Sequence, residues 1–157
     1  VAVLRSANYE TCHSVIDDGL RLLSPNVRGK RVLLKPNLVE YSPKATINTH
    51  PLVIAAAVDS LYRLGAAEVV VADGPGHVRD SELLLDESGL RRHLAEVGGA
   101  RFVDLNFDSV EKIVPRGAFT TFPELWLPRS ILAADVIISM PKIKTHHWAG
   151  VTLSPKN

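Results

Sequence analysis

The amino-acid sequence predicts an α/β domain built on a mostly parallel, doubly wound sheet, a three-layer Rossmann-like arrangement with helices on both faces. Three observations predict it. Short apolar runs alternate with stretches of helical periodicity along the chain. One run, "EVVVAD" (Glu68–Asp73), is almost continuously β-branched, as suits a central strand buried on both faces. Three of the runs end in polar loops that carry proline, the pattern of parallel strands opening on one edge.

Taken in order, "VAVLR" (Val1–Arg5) reads as a short strand. Cys12, Val15, Ile16, Gly19, Leu20 and Leu23 recur at spacings of three and four, one face of an amphipathic helix. "RVLLK" (Arg31–Lys35) is a second strand, ended by Pro36. A polar loop from Leu38 to His50 leads to a helix capped by Thr49 or His50. Pro51 suits its first turn, where the N–H it lacks would have no partner. Ile54, Ala57, Val58 and Leu61 form its inward stripe and Gly65 ends it. Glu68–Asp73 is the third strand. Leu90, Leu94 and Val97 mark another helical region, stopped by Gly98 and Gly99. "RFVDL" (Arg101–Leu105) is a fourth strand and "EKIVP" (Glu111–Pro115) a short one. Phe119–Leu127, rich in Thr, Phe and Pro, reads as an irregular excursion. A short helix over Pro128–Ala134 precedes the strand "DVIISM" (Asp135–Met140).

The 157 residues suit one α/β domain, residues 1–157. The chain begins with Val1 and stops at "TLSPKN" without a terminating pattern, so a fragment of a longer chain is expected. Hydrophobic residues at 46% and charged residues at 22% are ordinary for a globular domain. Lys plus Arg is 18 and Asp plus Glu is 17, which leaves no basic field to draw the chain to nucleic acid or anionic lipid. No apolar run approaches the ~20 residues that cross a bilayer. The single cysteine, Cys12, excludes an internal disulfide, a Cys-rich zinc site and an iron–sulfur cluster held by this chain alone. A cytoplasmic location is the expectation.

The three polar strand ends are "KPN" (Lys35–Asn37), "DGPGH" (Asp73–His77) and "PKIKTHH" (Pro141–His147). In a parallel sheet they meet at one crevice, the edge where open α/β folds bind ligands. Lys35 is either a solvated surface lysine or a point charge facing an anion, and Asn37 orients the same ligand or makes a turn. "DGPGH" is a rigid turn, or a loop in which Gly74 and Gly76 present backbone N–H groups to an anion between Asp73 and His77. It lacks the dinucleotide-binding glycine spacing. Lys142 and Lys144, two apart, point to one side of an extended segment, with His146 beside them and His147 opposite. Adjacent histidines do not easily grip one metal ion, and no metal ligands are assigned. A metal would need His50 or His77 as a further ligand. The lysines bind an anion in this reading, and His146 moves a proton near the ordinary imidazole pKa of ~6.5. If the chain past His147 turns back, Thr152, Ser154, Lys156 and Asn157 join the crevice. Trp126 and Trp148 are read as packing or pocket walls.

The pieces "VLLKPNLV", "NTHPLVIAAAVDSLYRLGAAEVVVADGPG", "VDLNFD" and above all "ADVIISMPKIKTHHWAGVTLSPKN" resemble the family called domain of unknown function 362, from Val1 to Asn157. The resemblance maps the family's recurring positions to Lys35, Pro36, Asn37, Asp73, Gly74, Lys142, Lys144, Thr145, His146, Lys156 and Asn157. Some members carry ferredoxin-like cysteine clusters beyond this domain, which implies an iron–sulfur partner domain or protein and a redox setting for those members. The family's "SLKN" is "SPKN" here. A looser, fold-level similarity to the N-terminal domain of nickel-pincer lactate racemases implies a metal-dependent alternative.

Two functions are therefore expected. One is an enzyme domain for a small carboxylate or phosphate, with Lys144 and His146 catalytic. Its ligand-binding residues are Lys35, Asn37, Asp73, Gly74, Gly76, His77, Lys142, Thr145, His147, Lys156 and Asn157. The other is a non-catalytic module that holds an anionic ligand or cofactor. The cofactor itself is unknown from the sequence.

Overall fold

A computed structural model describes every residue except 77, 117–119, 147, 149, 155 and 156. In chain order its elements are α1 (Cys12–Leu23), β1 (Arg31–Pro36), α2 (Pro51–Arg63), β2 (Glu68–Asp73), α3 (Ser81–Glu87), α4 (Leu90–Glu96) and β3 (Phe102–Asp104). There follow β4 (Val110–Ile113), β5 (Leu125–Pro128), α5 (Arg129–Leu132), β6 (Val136–Met140), β7 (Lys144–His146) and β8 (Gly150–Thr152).

Four parallel strands form the main sheet in the order β3–β2–β1–β6. The chain steps outward from β1 to β2 to β3, then returns to lay β6 on the far side of β1. Crossovers between parallel strands are right-handed, so a reversal of direction moves the connection to the opposite face. The packing follows this rule. Val32, Leu34, Val69 and Val71 face Ile54 and Leu61 of α2, Leu84 of α3 and Leu90 and Leu94 of α4, with Ile16 and Leu20 of α1 against them. Leu33, Val70 and Ala72 face the other way, onto Ile131 and Ala134 in and beside α5. Each fully buried Leu or Val contributes about 1.5–3 kcal/mol, which makes β1 and β2, buried on both faces, the spine of the domain.

The expected three-layer, doubly wound α/β class is the observed one, and the boundaries of β2 match the apolar run. Some local expectations give way. Val1–Arg5 forms no strand. It lies instead on α1, where Leu4 approaches Gly19 so closely that a Cβ there would sit 3.1 Å from Leu4 Cδ1. The helix marked by Leu90, Leu94 and Val97 is α4, and a further short helix that the pattern does not show, α3, precedes it, parted from it where Gly89 takes φ +74°. Phe119–Leu127 is not wholly irregular: Leu125–Pro128 pairs antiparallel with Val110–Ile113 as a separate ribbon. Trp126, on that ribbon, is 58% exposed rather than packed.

Candidate functional site at the sheet's carboxyl edge

The carboxyl ends of β1, β2 and β6 lie side by side, and β1 and β6 flank the point where strand order reverses. Crevices open there because the connections leaving the two strands diverge to opposite faces. Asp73, the last residue of β2, is 3% exposed. Its Oδ1 accepts from Lys35 Nζ and from Gly74 N at 2.9 Å, and its Oδ2 accepts from Leu38 N at 2.6 Å. A buried carboxylate is tolerated only when paired and hydrogen-bonded. Here it joins the ends of two strands and the loop that follows each.

That loop geometry changes the reading of "DGPGH". Gly74 N is committed to Asp73, and Gly76 N donates to Val39 O at 3.3 Å. Both N–H groups are thus engaged within the protein, one by the Asp73 side chain and one by the loop that follows β1. A Cβ at Gly74 would stand 2.8 Å from Asn106 Oδ1 and would push that side chain aside. Asn106 in turn donates to Pro75 O at 2.9 Å and fixes the loop.

The loop after β1 is organised by Asn48 and Thr49. Asn48 Oδ1 accepts from Val39 N at 2.7 Å and its Nδ2 donates to Glu40 O at 2.8 Å. Thr49, 5% exposed, accepts from Asn37 N at 2.9 Å through its hydroxyl and donates that proton to Met140 O at 2.7 Å. It therefore ties the end of β1 to the end of β6. His50 then caps α2, its Nδ1 accepting from Leu52 N at 3.2 Å.

Past β6 the chain does turn back. β7 and β8 form a hairpin in which Lys144 pairs with Thr152 and His146 with Gly150. Lys144 Nζ donates to Asn37 Oδ1 at 2.6 Å and to Ile47 O at 2.7 Å. His146 Nδ1 accepts from Trp148 N at 3.2 Å, which leaves the ring proton of the neutral imidazole on Nε2. Asn157 Nδ2 donates to Lys35 O at 2.9 Å and Ser139 Oγ at 3.0 Å.

Together these elements enclose a cavity of about 490 Å³. Of the expected site residues, Lys35, Asn37, Asp73, Gly74, Gly76, Lys144, Thr145, His146 and Asn157 line it, joined by Thr152. Lys142 is not among the lining residues. The segment before β7 is not extended strand, so the two-residue alternation does not carry Lys142 to the side of Lys144. Its ammonium donates to the Tyr9 hydroxyl at 2.9 Å and lies 5.6 Å from the Tyr9 ring centroid. Tyr9 stacks on His50 with centroids 3.8 Å apart. Trp148 is 86% exposed and is not among the lining residues. His77, His147 and Lys156 lie outside the described residues. Among the described residues no three or more His, Cys, Asp or Glu side chains gather as metal ligands. Cys12 is buried on α1, as its place on the apolar face implies, and burial raises its thiol pKa.

The roles of Thr49 and Asn106 were not visible in the sequence. Thr49 was marked there only as a helix cap.

The sequence model of the family described as a domain of unknown function (DUF362) matches residues 32–157. The chain belongs to that family. The matched part of this DUF362 chain contains every described residue that lines the cavity. A thylakoid-associated protein of Synechocystis sp. is 30% identical over 169 residues, an alignment that covers 100% of this chain and 49% of that protein. The DUF362 chain thus spans about half the length of that relative. No solved structure matches it. No helix among the described residues is long and apolar enough to cross a membrane.

Proposed function

We propose that this domain binds a small anionic molecule, a carboxylate or a phosphate, in the cavity at the carboxyl edge of the sheet. One observation carries the reading. The described lining residues include two lysines and a histidine but a single carboxylate, Asp73, which already accepts three hydrogen bonds. Such a lining attracts negative charge. Lys35 and Lys144 hold the anion in this reading. As an enzyme, the domain would use His146 to exchange a proton with the bound molecule rather than to hold it.

Phosphate and acetate titrations followed by calorimetry and by the His146 ring resonances test the proposal. Lys144→Met should weaken binding about 10–100-fold, the worth of one charge-assisted hydrogen bond. Lys142→Met, altered outside the cavity, should leave affinity within about threefold. Equal losses in the two variants, or no binding by the wild type, would reject the site.

A second reading, a binding module without turnover, is favoured by the engagement of Asp73, since the lining then offers no spare carboxylate to work with His146 as an acid–base pair. His146→Ala separates the two: it should preserve binding under both readings and abolish turnover only under the first.

A further inference from the structure

Resting on the anion-binding reading, we infer that the ligand is a hydroxylated anion, of the size of a sugar phosphate or a sugar acid. Two orphaned polar atoms carry the argument. Thr152 is 1% exposed, and its hydroxyl oxygen is buried with no hydrogen-bond partner among the described residues. The same holds for Asn157 Oδ1. Both residues line the cavity, Thr152 directly across the hairpin from Lys144 and Asn157 on the backbone of Lys35.

The orientation of the Asn157 amide is fixed by chemistry. Lys35 O can only accept, so the atom 2.9 Å from it is the NH₂ nitrogen, and Oδ1 is the end left without a partner. A buried polar atom left unpaired costs about 1–3 kcal/mol, and native structures keep few of them. Oδ1 needs a donor. The lysines cannot be matched by donors, since an ammonium group only donates. The lining therefore offers two kinds of partner to one molecule: the ammonium charges of Lys35 and Lys144 for its anionic group, and the unpaired acceptor of Asn157 for a donor. An ammonium donor is disfavoured beside two lysines. A hydroxyl fits, and it can also accept from Thr152. The volume of about 490 Å³ lies within the range that holds ligands much larger than bare phosphate.

Matched probe pairs test this by calorimetry on the wild type and on Thr152→Val. The pairs are ribose 5-phosphate against propyl phosphate, and gluconate against hexanoate. At least fivefold tighter binding of the hydroxylated member is expected in one pair, and that pair identifies the anion as phosphate or carboxylate. In Thr152→Val the preference should fall to about twofold, while the melting temperature of the ligand-free protein stays level or rises, because a hydroxyl with no partner is removed. Equal binding within both pairs would overturn the inference and leave the anion site standing. A preference that persists in Thr152→Val, or a variant that melts several degrees lower without ligand, would also overturn it. Failure of all four probes and of inorganic phosphate would remove the anion reading itself, and the inference with it.

Discussion

Lys144 of β7 donates to the amide oxygen of Asn37 at 2.6 Å, across 107 positions of sequence. With the bond to Ile47 O, it draws the hairpin onto the loop that follows β1. The two residues should therefore be coupled in stability as well as in binding. A double-mutant cycle with Asn37→Ala and Lys144→Met, read by urea unfolding, should give an interaction energy of about 1 kcal/mol. Strict additivity, within about 0.3 kcal/mol, would mean that the contact does not hold the hairpin.

Thr49 is the expected weak point of the frame. Thr49→Val keeps the shape but strands Asn37 N and Met140 O, and should cost about 1–3 kcal/mol. Thr49→Ser keeps the hydroxyl and should lose less than half of that. Equal losses would assign the effect to the methyl group.

Asp73 behaves as structure in this arrangement, not as a catalytic acid. Asp73→Asn removes the charge opposite Lys35 and turns an NH₂ group toward donors. A loss of about 3 kcal/mol in unfolding free energy is expected, as for a broken buried pair. A variant of wild-type stability would show that the carboxylate is dispensable to the fold.

The His50 ring supplies a pH dependence whose sign can be worked out. Burial first, and the Lys142 charge second, lower its pKa from 6.5. As pH falls, the unfolded chain takes up the proton before the folded one does. The stability contributed by the neutral ring is whole above the unfolded value and is lost as pH falls through the lowered folded value. Asparagine is also a good helix cap, so His50→Asn should fold. The stability difference between wild type and this variant should begin to shrink as pH falls through the unfolded value of ~6.5 and go on shrinking below it. Lys142→Met should lessen the slope, since it removes the second-largest of the causes that lower the pKa. A difference that is flat with pH would contradict the assignment.

Much of the frame was legible because each element announces itself locally. The β-branched run of β2 and the His50–Pro51 start of α2 need no distant partner to be read. The meeting of Lys35 and Asp73 follows from strand direction alone, whereas His146 reaches them through the hairpin. What escaped depended on partners that no local pattern reveals. Thr49 bonds to a carbonyl 91 positions away. Val1–Arg5 has the composition of a strand, but composition does not say whether a segment joins a ladder. Lys142 was grouped with Lys144 on the premise of extended backbone, and the backbone becomes regular only from Lys144.

The β7–β8 hairpin has a ladder of its own and shares none with the main sheet. In the proposed reading the hairpin supplies Lys144, His146 and Thr152 to a cavity whose floor is laddered without it. A hairpin transplanted between two members of the family should therefore carry its ligand preference along.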